Sequence, residues 1–411
     1  MRALLIAAWV TTAVAPVAAQ GPAAVKEAMA ILQRDNAWTI DQQVSLCQIP
    51  APPFKEEARG AEYAKRLRAL GYPVTIDQVG NVIATRKGTG GGQRFVLAAH
   101  LDTVFPEGTD VTVKREGTKL MGAGIGDDCR GLAVVLAVAR AMALAKVTTT
   151  GDIVFVGNVG EEGPGNLRGT RHLFKEQTAG PIDSFISVDG VGFGAVSRAV
   201  GSNRYLVTFA GPGGHSFGAF GMPNPIHAMG RAIALIGDLQ VPAHPKTTFN
   251  VGIVEGGTSV NSISFKAIMQ VDLRSESAEE LARLDAAFRR AVEQSTQAEI
   301  ARWPASKAGL TAELTDMGQR PAGAQPDTLW LFVAAQRAAA TLGIPVPQPS
   351  TSSTDANVPI SLGIPALSLD GGGSGGGAHS LGEWYDDGPR GWLGPQWALL
   401  VSVEAAGRIK Q

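Results

Sequence analysis

The sequence predicts an α/β protein: a split domain built on a mostly parallel, mixed sheet covered by helices, interrupted by an inserted α+β unit. Three observations predict it. Short apolar runs alternate with helical stretches from about 73 to 188, the pattern of strands linked by crossover helices. Near Gly201 the chain changes to longer strands with two helices, and beyond about 316 it returns to the first pattern. The expected segments are therefore 20–200 and 316–411 for the split domain and 201–315 for the insert, with residues 1–19 set apart.

Taken in order, Ala23 to about Leu46 reads as helical. Pro52 and Pro53 then stand where a first helical turn tolerates proline, with Glu56 and Glu57 near its positive end. That helix runs to Leu70 and stops at Gly71. Strands are expected near 73–77, 81–86, 95–99, 152–158 and 184–188, and helices over about 130–145 and 168–176. In the insert, Tyr205–Phe209, Thr248–Val254 and Ser264–Leu273 read as strands. Asn224–Leu239 and Glu279–Gln294 read as helices, the second placing Leu281, Leu284 and Phe288 on one face. A glycine- and proline-bearing connection around Gly318–Gly323 leads to a helix over Leu329–Leu342, strands near 345 and 366–369, and a last helix from about Pro395 to Arg408.

Composition excludes several functions. The chain has 411 residues, 45% hydrophobic and 18% charged, with 36 Lys and Arg against 37 Asp and Glu. That is an ordinary globular composition with no basic field for nucleic acid. The start differs: Arg2 precedes the apolar stretch Ala3–Val10, and small residues follow to Ala19. This reads as an export signal cleaved near Ala19, giving a periplasmic or secreted protein. Thr11, Thr12 and Pro16 interrupt the run before it reaches the roughly 20 apolar residues of a membrane span, and no later segment supplies one. Cys47 and Cys129 allow one disulfide at most; the reading is two separately buried thiols.

The chemistry-bearing residues cluster after the apolar runs. His100 and Asp102 end one run; Asp127–Asp128, Glu161–Glu162, Asp189 and His379 follow at wide intervals. Zinc takes imidazole nitrogen and carboxylate oxygen, and two adjacent zincs need a bridging carboxylate with terminal ligands on each side. Paired glutamates behind a strand are also poor core residues without a partner such as a metal. The glycine-rich Gly371–Gly377 reads as a loop folded around a site rather than a flexible linker or a phosphate cradle. His172, His227 and His244 read as structural or exposed.

These residues resemble the co-catalytic zinc metallopeptidases of family twenty, which include peptidase T, glutamate carboxypeptidase, carnosinase, aminoacylase, acetylornithine deacetylase and succinyl-diaminopimelate desuccinylase. The resemblance covers nearly all of the chain after residue 19. It rests on His100-Leu101-Asp102-Thr103-Val104, Gly124-Ile125-Gly126-Asp127-Asp128, Gly160-Glu161-Glu162-Gly163, Ser187-Val188-Asp189-Gly190 and Ala378-His379-Ser380.

The resemblance implies two zinc ions, replaceable by cobalt or manganese, bridged by Asp127. His100 and Asp189 complete one, and Glu162 and His379 the other. Asp102 hydrogen-bonds the far nitrogen of His100. Glu161 is the general base, taking a proton from the attacking water and returning it to the leaving amine. Asp128 follows a cis peptide. The insert becomes a lid that makes a homodimer. In it, His215 of Gly213-Gly214-His215-Ser216 helps stabilise the oxyanion, often from the neighbouring subunit, while Asn261 and Arg274 bind substrate carbonyl or carboxylate.

Two positions depart from many relatives: Cys129 replaces lysine, and Asp189 stands where the aminoacylase and desuccinylase branches have glutamate. The second favours cleavage of small peptides over deacylation of N-acyl amino acids, which is the alternative. The related aminopeptidases without a lid lack the inserted block. An inactive exported binding protein would be expected to have lost a ligand or the base.

Overall fold

The computed structural model describes residues 22–409. The expected signal segment therefore lies outside the described residues. Four strands run parallel through the middle of a nine-stranded mixed sheet: Ile153–Asn158, Phe95–His100, Ser184–Val188 and Ala366–Leu369, in that spatial order. The first three are buried along their whole length, as continuous apolar runs require when helices cover both faces. Val82–Arg86 and Val74–Ile76 extend one side antiparallel. Ala195–Ala199 continues the other, flanked by Gly323–Ala324 and Pro349–Ser352.

Helix Cys129–Leu144 lies under the sheet, buried from Cys129 to Ala139. The last helix, Leu393–Gly407, packs against it and completes the main core around Trp397, Phe95 and Phe155. The first expected helix is two, Pro22–Arg34 and Asn36–Cys47, separated at Asp35. Asp35 is fixed there by Arg34 and Arg140. No strand forms near 345; the strand in that region is Pro349–Ser352, followed by the short helix Asn357–Ser361.

The insert has its own core. Its sheet orders Thr247–Gly256, Lys266–Ser275, Gly201–Ala210 and Thr311–Arg320, all antiparallel. Helices Pro225–Gly237 and Ala278–Ala301 cover one face, meeting Tyr205, Val207, Phe209, Val271 and Leu273. Alternation then places Arg204, Asp272 and Arg274 on the opposite face. The stretch around Gly318 is the end of the fourth lid strand rather than a connection. It carries the lid sheet past the expected limit at 315 to Arg320.

Cys47 and Cys129 are unbridged and fully buried, but they share one pocket with Ile40, Leu120, Ile125 and Tyr385 instead of lying in separate ones. Gly371–Gly377 is ordered by pairing: Ser374–Gly376 lies against Trp384–Asp386, and Gly192 and Gly372 exchange backbone hydrogen bonds.

Candidate active site

All four central parallel strands lead at their carboxyl ends into the expected site residues, where α/β sheets open to ligands. Phe95–His100 ends on His100 itself. Ile153–Asn158 leads into Glu161 and Glu162, Ser184–Val188 into Asp189, and Ala366–Leu369 into the loop that carries His379.

Asp127 occupies the centre. Its Oδ1 lies 3.0 Å from His100 Nε2, and its Oδ2 lies 3.1 Å from His379 Nε2. One carboxylate thus faces two imidazoles through different oxygens. His379 Nε2 is also 3.0 Å from Glu162 Oε1. His100, Asp127 and Glu162 present donor atoms all within 4.8 Å of one another. Asp189 lines the same cleft of about 600 Å³, together with Asp127, Glu161, Glu162 and His379.

The electrostatics match a cation site. Burial pushes Glu162 and Asp189 each up to about 7, and the Asp127 charge beside them adds to the effect. Asp127 is held low, the two histidines outweighing its burial. His379 rises to about 9 beside Asp127 and Glu162. Burial opposes charging His100, but Asp102 and Asp127 prevail and raise it. Several buried carboxylates competing for two imidazoles are short of positive charge. Hard or borderline divalent cations fit this nitrogen and oxygen donor set. His100, Asp127 and Asp189 could hold one, and Asp127, Glu162 and His379 another.

Asp102 departs from expectation. His100 Nδ1 meets the Asp102 carbonyl oxygen at 3.0 Å, while the Asp102 carboxylate is 3.6 Å away. That carboxylate instead accepts the Glu161 and Glu162 N–H groups at 3.1 and 2.8 Å, joining two strand ends. Asp128 follows the cis Asp127–Asp128 peptide; its carboxylate accepts the His100 N–H and caps the following helix at Gly131.

The structure adds groups that the sequence motifs did not mark. Glu383 accepts the N–H groups of Gly124, Gly126 and Asp127 at 2.9, 2.7 and 2.9 Å, tying the His379 loop to the Asp127 loop. Arg320, at the end of the lid sheet, donates to Glu161 Oε1 at 2.9 Å and to the Glu161 carbonyl. Burial pushes Glu161 well up while Arg320 opposes the rise. Asp355 accepts from Asn158 at 2.5 Å and also from Thr170, bracing the strand end that precedes the glutamates.

Among the expected lid residues, Arg274 lines the cleft. Its Nε donates to Asp272 at 2.7 Å, and Arg204 shares that acid at 3.0 Å. His215 and Asn261 lie together on the small ribbon Gly214–His215 and Ser262–Ile263, where the Ser216 N–H donates to the Asn261 carbonyl. Both are exposed, and neither lines the cleft. His172 pairs with Gln78, and His227 and His244 sit on the lid, all away from the cleft-lining residues.

The model of Peptidase family M20/M25/M40 matches residues 96–390, which include every expected metal ligand. This chain belongs to that family. Carboxypeptidase G2 from Pseudomonas sp. (strain RS-16) is 29% identical over 230 residues, 53% of this chain and 54% of that protein. The stretches matched in curated relatives include some covering as little as 32% of the relative. Over the whole fold, the aminopeptidase PepT from Bacillus cereus ATCC 10987 superposes with TM-score 0.71 at 22% identity, covering 90% of this chain and 98% of the other. The Bacillus subtilis YXEP protein, described as a dinuclear metal binding peptidase, gives 0.64 at 18% identity, covering 92% and 99%. The fold of this M20 chain is thus shared over nearly the whole length of these two structures.

Proposed function

We propose that the chain is an exported hydrolase that uses two divalent metal ions, zinc by preference, to cleave an amide bond in small peptides. The observation that carries this reading is Asp127, whose two carboxylate oxygens each face a different histidine while the buried acids around them, Glu162 and Asp189 included, outnumber those two imidazoles. A bound metal pair would polarise the amide carbonyl and make a nucleophile available at neutral pH.

The chain's own groups supply the rest. Glu161 Oε1 is held by Arg320, and Oε2 takes no hydrogen bond among the described residues. Oε2 is therefore the atom available to accept a proton from the attacking water and return it to the departing amine. A carboxyl raised by burial is suited to both halves of that transfer. Arg274 and Arg204 on the lid wall, with Arg320, line the cleft and suit the carboxylate of the leaving amino acid.

His215 and Asn261 serve a second copy of the chain in this reading. Their ribbon carries Phe217 and Val260 at 89% and 103% exposure, and the outer lid strand Thr247–Gly256 leaves Ile253 and Val254 uncovered. An apolar patch beside an unpaired sheet edge suits a dimer contact. His215 would then reach the oxyanion across the dimer.

The test is a panel of dipeptides, tripeptides and N-acyl amino acids offered to zinc-reconstituted protein. Cleavage of peptides supports the reading. Cleavage of N-acyl amino acids alone would make the protein a deacylase of the same family, because the arginine wall recognises a carboxylate in either case.

A further inference from the structure

One acid in the cleft is not used by the expected metal set or by the arginine wall. Asp370 follows strand Ala366–Leu369, and the Asp189 N–H donates to Leu369 O at 2.9 Å, so Asp370 stands next to the metal site on the sheet's carboxyl edge. Its Oδ2 accepts the Gly194 N–H at 2.6 Å. A Cβ at Gly192 or Gly194 would come within 3.0 or 2.9 Å of that oxygen, so the 190–194 loop closes on one side of the carboxylate only because it is glycine there. Asp370 also lines both the main cleft and an adjoining cavity of about 260 Å³, which share Asp127 and Gly190.

No cationic side chain pairs with Asp370 among the described residues. The three arginines of the cleft are engaged elsewhere: Arg204 and Arg274 with Asp272, and Arg320 with Glu161. Burial accordingly pushes the Asp370 carboxyl up to about 6, opposed only by the Gly194 hydrogen bond. A half-buried acid on a ligand wall without a counter-cation is completed by a cation on the ligand.

Its position along the sheet says which part of the ligand. Across the four parallel strands the order is Glu161 and Glu162, then His100, then Asp189, then Asp370. Arg320 is bound to Glu161 at one end, and Asp370 stands at the other. Three strand spacings of about 4.8 Å separate those ends by roughly 14 Å. Two or three extended residues at about 3.5 Å each, with their end groups, span a gap of that order. Arg320, the metal ligands and the lone acid thus repeat the order of carboxylate, amide and amine in a free small peptide.

We propose that Asp370 receives the protonated α-amine of the substrate, so that the enzyme selects unblocked dipeptides and tripeptides over N-acyl amino acids. This inference rests on the hydrolase reading above and decides between its two substrate classes. Asp370 acts on selection, while the groups around Asp127 and Glu161 act on the bond.

The test compares L-alanyl-L-alanine with propanoyl-L-alanine, which differs by the amine alone, on zinc-reconstituted wild type and Asp370→Asn. Asparagine keeps the volume and an oxygen for the Gly194 N–H while removing the charge. The wild type is expected to favour the free dipeptide by about 10–100-fold in kcat/KM, the effect of one charge-assisted hydrogen bond. Asp370→Asn should lose most of that preference, chiefly through KM, with propanoyl-L-alanine hydrolysis and zinc content changed less than about threefold. Equal losses on both substrates would overturn the proposal, as would a wild type that cleaves the propanoyl compound equally well. If the variant does not fold, the wild-type comparison still overturns the proposal when the propanoyl compound is cleaved equally well, and Asp370→Glu, which keeps the charge and should keep the preference, tests the residue. If the wild type cleaves neither compound nor any member of the wider panel, the hydrolase reading fails and this one with it; cleavage of either compound leaves that reading standing whatever Asp370→Asn does.

Discussion

The Glu161 carboxylate accepts a hydrogen bond at 2.9 Å from Arg320, a residue that reaches it from the last strand of the inserted lid. Both side chains are buried, so the pair is not a screened surface ion pair. It ties Glu161, the proposed proton acceptor, to the inserted domain. Arg320 also opposes the upward push of burial on Glu161.

Replacing Arg320 should therefore change the pH profile as well as the rate. In Arg320→Met the Glu161 carboxyl rises further, and the acidic limb of kcat/KM moves to higher pH. We expect kcat to fall about 10–100-fold, the effect of losing a buried charge-assisted hydrogen bond. An unchanged acidic limb would separate Arg320 from the base.

Glu383 should act on metal rather than on protons. Its carboxylate collects three backbone N–H groups of the loop that presents Asp127. Glu383→Ala leaves those donors buried, and we expect zinc affinity to drop by about 10–100-fold, as when supporting groups around metal ligands are removed. Competition with a chelator checks this. Unaltered affinity with a lowered unfolding temperature would make Glu383 purely structural.

The apo chain should lose stability as pH rises. Glu162 and Asp189 are raised to about 7, so between about pH 4 and 7 the folded state holds protons that the unfolded state has released. Stability falls through that window. His379, raised to about 9, acts in the same direction: its contribution is present below its ordinary value and is lost as pH rises through about 9. Thermal unfolding of chelated protein should show a lower Tm at pH 8 than at pH 5.5. Added zinc should raise Tm more at pH 8, because it takes the place of those protons. A chelated Tm that climbs over this range would contradict the charge assignment.

The expected metal ligands stand out in the sequence because each sits close behind an apolar run or in a short glycine-bearing motif, and the structure gathers them because strand ends converge in a parallel sheet. Arg320 and Glu383 do not stand out. Their partners lie 159 and 257 residues away, and nothing local marks either as more than a surface charge. Asp102 lies beside His100, but its carbonyl rather than the expected carboxylate meets the ring nitrogen, and sequence spacing does not distinguish the two. The strand Thr311–Arg320 escaped notice because it is a mostly exposed edge with a polar end and an irregularity near Gly318, so it shows no clean alternation. The early helix break at Asp35 depends on Arg140, a distant contact.

For the lid, gel filtration of the chain without its first 19 residues should show a dimer. His215→Ala should reduce kcat by about 10²–10³-fold, the effect of losing an oxyanion donor, with zinc content unchanged. A strict monomer with full activity would remove His215 from the reaction across subunits.

The central claim is a two-metal site assembled around Asp127, and elemental analysis after zinc reconstitution tests it most directly. The account predicts about two zinc ions per chain in the wild type and in Glu161→Gln, with turnover lost in the latter, and loss of zinc in Asp127→Ala. A wild-type chain that hydrolyses peptides while holding no transition metal, or an Asp127→Ala variant that keeps both ions, would contradict it.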